Sequence, residues 1–121
     1  MKLLLPLSII VMVTAFACSN DNEEDLMEGT VCETENMSYA ADIKPILEDN
    51  CYSCHSNEST YQGAFPFEDF EDLTSIVNDG RLVGSINHDQ GYAKMPVFSS
   101  KLDSCTIEKI EAWIDDGAMD N

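Results

Sequence analysis

Basic residues are scarce in this chain of 121 residues. Six lysines and arginines are set against 23 aspartates and glutamates, which gives a formal net charge of −17 at pH 7. This balance argues against a nucleic-acid partner, because phosphate backbones would be repelled. The negative charge favours solubility, and it would also steer the chain towards a basic docking patch on a partner protein.

The alternating pattern of a β-strand is absent too, and no internal repeat is visible. Apolar residues instead recur at helical spacing. The helical segments that this pattern predicts are 42–50, 70–78, 106–116 and a short turn at 82–86. Asp42 is expected to cap the first helix and Asp103 or Ser104 the last, while Gly80 and Gly117 are stop signals. The sequence therefore predicts an all-α domain.

Long apolar runs are limited to one, from Leu3 to Phe16, which is too short to span a bilayer comfortably. It ends in Ala15-Phe16-Ala17-Cys18, which is similar to a bacterial lipoprotein processing site. We predict a lipoprotein signal peptide over residues 1–17, cleavage before Cys18 and acylation of its thiol. The alternatives are an ordinary secretory signal cut after Ala17 and an uncleaved membrane anchor.

The segment that follows the apolar run is acidic and polar, with too few apolar residues to pack. We predict a flexible tether over residues 18–36. The domain proper is expected over residues 37–121.

Five consecutive residues carry the clearest chemistry of the chain: Cys51-Tyr52-Ser53-Cys54-His55. The pattern Cys-x-x-Cys-His is the attachment signature of c-type haem. The thiols of Cys51 and Cys54 would form thioethers to the haem vinyl groups, and His55 would be the proximal iron ligand. We predict one covalently bound haem c. A dithiol redox centre and a zinc site are the alternatives for the same residues.

The sixth iron position has Met95 as its candidate ligand. Met95 stands in Lys94-Met95-Pro96, in a loop well after His55, where packing is a weaker explanation than on a helix face. His55 and Met95 together would raise the reduction potential and leave no open site for oxygen or peroxide. His88 is the rival ligand, and an open sixth position is the third option.

Two cysteines remain once Cys18, Cys51 and Cys54 are assigned. An even remainder in an exported protein favours a disulfide between Cys32 and Cys105. Two free thiols are the alternative.

The chain resembles the class I cytochromes c over roughly residues 39–118. The resemblance rests on the Cys-x-x-Cys-His motif, Lys94-Met95-Pro96 and a terminal helix bearing Trp113. Within that family, the chain resembles more specifically the small monohaem lipoprotein cytochromes of Bacteroidetes-type bacteria. Three segments carry this closer resemblance: Asp42-Ile43-Lys44-Pro45-Ile46-Leu47, Ile86-Asn87-His88-Asp89 and residues 110–118.

The resemblance implies three to four short helices around one haem. It places Ile43 and Leu47 of the first helix against Ile110 and Trp113 of the last, and it brings Cys32 near Cys105. In that family a proline carbonyl often bonds the ring of the histidine ligand, and Pro66 is the candidate here, with simple packing of Phe65-Pro66-Phe67 as the alternative. Arg81 would pair with a haem propionate or favour the end of the second helix through its charge.

These features together predict an electron carrier without substrate turnover. It would be a membrane-tethered monohaem c-type cytochrome that exchanges electrons with redox-partner proteins. The lipid would anchor it to a bacterial membrane, facing the periplasm or the cell surface. A haem-based enzyme or gas sensor with an open sixth position is the alternative.

Overall fold

Residues 31–121 are described by the structure, a computed structural model. The predicted signal peptide, the lipidation site at Cys18 and the tether as far as residue 30 lie outside the described residues. None of the helices in the described part of the chain is long and apolar enough to cross a membrane.

The described chain is helical, and residues 31–121 contain no strand. A π-helical turn at Tyr39–Ile43 leads directly into the first of five α-helices. We number the α-helices α1 Lys44–Asn50, α2 Tyr52–His55, α3 Phe70–Asn78, α4 Arg81–Asn87 and α5 Ser104–Asp115. The predicted all-α class is confirmed. The helices exceed the three to four expected, because α2 is separated from α1 at Cys51.

The first helical segment begins earlier than the sequence predicted. Ser38 is the cap, since its side chain accepts a hydrogen bond from the Ala41 N–H. Asp42 was expected in that role, and it instead accepts from the Ser38 N–H at 2.9 Å. Ser38 and Asp42 thus satisfy donors at the start of the turn reciprocally, in the manner of a capping box.

The ends of the later helices follow the expected signals. α3 ends at Asn78 and is followed by Asp79 and by Gly80, whose φ is +77°. Asp103 caps α5 by accepting from the Thr106 N–H at 3.0 Å. Gly117, with φ +100°, follows the end of α5 and supplies the left-handed residue that a helix stop of this kind requires.

The core lies where the π-helical turn packs on α5. Tyr39 stacks on Trp113 with ring centroids 5.7 Å apart, and Phe70 from the start of α3 meets both rings edge-on. The residues expected to pair the first and last helices all belong to this core: Ile43, Leu47, Ile110 and Trp113. Met37, the first residue of the predicted domain, is also buried here at 8% exposure.

A disulfide joins the start of α5 to the segment before the π-helical turn. Cys32 and Cys105 are bonded, with Cα atoms 5.4 Å apart, so the predicted pair is present. Residues 31–36 of the predicted tether are therefore attached to the domain through Cys32.

Candidate functional site

The Cys-x-x-Cys-His motif occupies a single helical turn. Cys51 is the joint between α1 and α2, and its N–H still donates to the Leu47 carbonyl at 2.8 Å. The N–H groups of Cys54 and His55 both donate to the Cys51 carbonyl, at 3.1 and 3.0 Å. Neither thiol is in a disulfide, and both are partly accessible. Two free thiols and an imidazole are thus held together on one short rigid element.

His55 is fixed by the segment that contains Phe65 and Phe67. The ring Nδ1 of His55 lies 2.8 Å from the Phe65 carbonyl oxygen. In return, the Phe67 N–H donates to the His55 carbonyl at 3.0 Å. The Phe67 ring packs beside the imidazole with centroids 4.6 Å apart. The side chain and the backbone of His55 are therefore both held by one segment.

This hydrogen bond decides the tautomer of His55. A carbonyl oxygen only accepts, so Nδ1 must carry the proton and donate. With the proton on Nδ1, Nε2 is the nitrogen whose lone pair a metal ion would bind. An imidazole oriented in this way is what a metal ligand requires, since its second nitrogen is bonded to a backbone carbonyl.

The proline carbonyl expected to bond His55 is not the acceptor. That role belongs to Phe65, the residue before Pro66. Pro66 lacks an N–H, so the bonding groups of this segment come from Phe65 and Phe67 on either side. The pattern Phe-Pro-Phe was a signal that an extended segment stood here, and only the spatial arrangement shows which carbonyl reaches the ring.

Burial raises the pKa of the Cys51 thiol to about 11. A thiol with a raised pKa is protonated at neutral pH and is a weak nucleophile. Dithiol redox centres depend on the opposite shift. This cysteine therefore lacks the activation expected of the dithiol alternative.

Met95 lies in the loop between α4 and α5, where the end of α4 holds its backbone. The Met95 N–H donates to the Ser85 carbonyl at 3.1 Å. The Met95 carbonyl lies 3.0 Å from Nε2 of His88. The Met95 side chain is half-buried, and it does not belong to the hydrophobic core. This position agrees with the prediction that Met95 does more than fill space in the core.

Tyr92 packs directly on α4 within the same loop. A methyl group added at Gly84 would lie 2.5 Å from the Tyr92 ring, well inside ordinary contact. Gly84 is therefore the residue that lets the ring approach the helix. Sequence reasoning overlooked Ser85, Tyr92 and Gly84, and the glycine inside a short helix was the one available signal.

The helix α4 contacts both sides of the candidate site. At its start, the Arg81 guanidinium lies 4.8 Å from the centroid of the Phe65 ring, next to His55. Arg81 also pairs with Asp79 at 2.7 Å. At its end, α4 bonds Met95. Arg81 is thus engaged with protein partners, and it begins α4 rather than ending α3.

Large apolar side chains are exposed on the loops of this site. Phe98 is 81% exposed and Phe65 is 42% exposed. Tyr61, beyond the motif, meets Phe98 of the Met95 loop with centroids 6.1 Å apart. The two loops therefore approach each other through accessible aromatic rings. These neighbouring exposed rings are a candidate surface for a ligand or a partner protein.

Comparisons of the chain with protein-family models, with curated proteins and with solved structures found no match.

Proposed function

We propose that the chain is a membrane-tethered monohaem c-type cytochrome that carries single electrons between redox-partner proteins. In this proposal Cys51 and Cys54 hold the haem covalently, His55 and Met95 are the iron ligands, and Cys18 carries the lipid. The bound haem would supply a one-electron couple, and a methionine ligand would raise its reduction potential. The protein would turn over no substrate of its own.

The observation that carries the proposal is the bond from His55 Nδ1 to the Phe65 carbonyl. It makes Nδ1 the donor and leaves Nε2 as the ring nitrogen available to a metal, directly after two free thiols on the same helical turn. These residues fit a covalently attached haem in number and chemical type. The exposed rings of Phe65 and Phe98 are apolar surface that a porphyrin could cover.

A closed iron site favours electron transfer over catalysis. Met95 stands on a loop held at both of its backbone polar groups. Thioether ligation would leave no position for oxygen or peroxide. The alternative of an enzyme or gas sensor needs that position open.

The alternative of a zinc site is disfavoured because the residues considered as a fourth zinc ligand are engaged elsewhere. A zinc ion held by Cys51, Cys54 and His55 would need one more donor from Cys32, Cys105 or His88. The first two are joined in a disulfide. His88 directs its Nε2 at the Met95 carbonyl.

The charge and the disulfide support the proposed location and partners. A disulfide is typical of an exported protein, which agrees with the proposed lipid anchor on a bacterial membrane facing the periplasm or the cell surface. Within residues 31–121 a single ion pair is present, between Arg81 and Asp79. The acidic surface is thus mostly unpaired and suits a partner with a basic docking patch.

The test is expression of the full chain with export in a bacterium competent for c-type haem attachment. We expect haem that survives denaturation, and a sharp α-band in the spectrum of the reduced protein. Cys51→Ser with Cys54→Ser should abolish covalent haem, whereas Cys32→Ser with Cys105→Ser is the matched control and should retain it. Exported wild-type protein whose mass includes no haem would overturn the proposal.

The chain also offers matched controls for the axial ligands. It contains two histidines, so His55→Ala should remove the normal spectrum while His88→Ala retains haem. Met95→Ala should remove the weak sulfur-to-iron charge-transfer band, and Met119→Ala, at a 57% exposed position, should not. Carbon monoxide binding to the reduced, folded wild-type protein would instead support the open-site alternative.

A further inference from the structure

Both main-chain polar groups of Met95 are bonded to residues at the end of α4. The N–H donates to the Ser85 carbonyl at 3.1 Å, and the carbonyl oxygen lies 3.0 Å from His88 Nε2. Since the carbonyl only accepts, His88 Nε2 must carry a proton and donate. The backbone on either side of the Met95 side chain is therefore held, and rotation within the side chain is its main remaining freedom.

The imidazole of His88 is placed by the way α4 ends. His88 is the C-cap, with a left-handed backbone at φ +62° and ψ 35°. Its N–H donates to the Ser85 carbonyl at 3.2 Å, and the next amide, of Asp89, donates to Gly84 at 2.9 Å. Helices usually reserve such a conformation for glycine or asparagine. A histidine here costs backbone energy, so a use for its side chain is expected.

The centre of the loop is held independently of His88. The Tyr92 ring packs on Gly84 so closely that a Cβ there would lie 2.5 Å from it. The Tyr92 N–H donates to the Asp89 carbonyl at 3.3 Å. The loop thus has one attachment at Tyr92 and a second at Met95, where His88 supplies a side-chain donor.

We propose that His88 is a positioning residue for the sixth iron ligand. Its Nε2–H holds the Met95 carbonyl, keeps the thioether available to the iron and makes replacement of Met95 by another ligand less favourable. This inference rests on the proposed function. It assigns His88 a role different from that of the rival ligand, because the nitrogen that would bind iron is bonded to the Met95 carbonyl.

The effect is measurable as competition by a small ligand for the iron. Imidazole must displace Met95 from the iron of the oxidised protein. The Kd of imidazole therefore rises with the stability of the Met95 loop in its folded position. The net contribution of one hydrogen bond corresponds to roughly a two- to tenfold change in an equilibrium constant. Loss of the His88 bond should therefore tighten imidazole binding by that factor.

Two variants separate the donor from the backbone. Asparagine tolerates the left-handed conformation but is too short to reach the Met95 carbonyl, so His88→Asn should tighten imidazole binding roughly two- to tenfold. Glutamine reaches further and carries an N–H donor, so His88→Gln should restore a Kd near that of the wild type. Wild-type affinity in His88→Asn, or equal tightening in both variants, would overturn the proposal.

A measurement on the wild-type holoprotein does not require any variant to fold. Nitrogen-15 NMR of His88 should show a proton on Nε2, since this atom donates to Met95. A neutral ring protonated only on Nδ1 would contradict the proposal.

The outcome for Met95→Ala separates this proposal from the proposed function. If Met95→Ala keeps the sulfur-to-iron band, Met95 is not the ligand and both assignments fail. If that band is lost while His88→Asn binds imidazole like the wild type, only the role of His88 is refuted.

Discussion

Gly84 and Tyr92 offer a sharp test of how the Met95 loop is held. A Cβ at position 84 would lie 2.5 Å from two carbons of the Tyr92 ring and 2.6 Å from a third. Ordinary carbon contacts are about 3.5 to 4 Å, so the ring must move by about 1 Å. One of the two nearest ring atoms is Cγ, and a flip of the ring about χ2 leaves that atom in place. Relief of the clash therefore requires the whole ring to swing off α4 or the loop backbone to shift.

Two effects of Gly84→Ala oppose each other. Replacing glycine by alanine inside a helix stabilises the folded state by up to ~1 kcal/mol. Forcing a methyl group into a filled space costs about 1 to 3 kcal/mol. We expect the second to be larger, with a net loss of roughly 1 kcal/mol in the free energy of unfolding.

The assay is a double-mutant cycle with Tyr92→Ala, measured by urea unfolding followed by circular dichroism. In the Tyr92→Ala background the methyl group meets no ring, so Gly84→Ala should stabilise the protein. The coupling between the two sites should be on the order of 2 kcal/mol. Stabilisation by Gly84→Ala of ~1 kcal/mol in both backgrounds would refute the packing of Tyr92 on α4.

Three further predictions concern stability. Replacing both Cys32 and Cys105 by serine should lower the free energy of unfolding by about 4 kcal/mol, because the disulfide closes a loop with a sequence separation of 73. An unchanged urea midpoint would contradict this. Leu47→Ala, at a fully buried position, should cost about 2 to 5 kcal/mol in the same assay, while Glu48→Ala beside it should cost little. Hydrogen bonds from Thr106 lower the pKa of the Asp103 carboxyl in the folded protein. The ionised carboxylate therefore stabilises the folded state above the ordinary aspartate pKa of about 4, and this stabilisation is lost as the pH falls through the lower folded value. Asp103→Asn should therefore reduce the loss of stability in acid, and an unchanged acid unfolding profile would count against the cap.

Most of the helices could be predicted because their signals are local. The stripe of Ile107, Ile110 and Trp113 lies on one face of α5, and Asp103 and Gly117 mark its ends. The same local logic predicted α3, and it located α4 to within one residue at each end. Pro45 lies in the first turn of α1, where its fixed φ is favourable. The prediction of a helix from residue 42 missed the start of the π-helical turn, which is capped by Ser38.

The donors at that first turn show why local signals were insufficient. The Tyr39 N–H donates to the Asn121 side chain, and the Ala40 N–H donates to the Asn121 carbonyl, both at 2.9 Å. Their partner stands at the other end of the chain. No pattern within a window of the sequence relates residues so far apart.

The chemistry of the candidate site divides in the same way. Cys51, Cys54 and His55 are neighbours in the sequence, so their spacing on one turn was settled by covalent connection and helix formation. The pairing of Cys32 with Cys105 could be anticipated by counting cysteines. Met95 could be singled out by its loop position.

Tertiary structure alone decided which groups hold those residues. Phe65, and not Pro66, presents the carbonyl that sets the His55 tautomer, and His88 donates to Met95 across the end of α4. Both depend on how two loops are folded against helices, to within the short range of a hydrogen bond. Composition and spacing named the residues that would hold a haem, and three-dimensional packing determined how each of them is oriented.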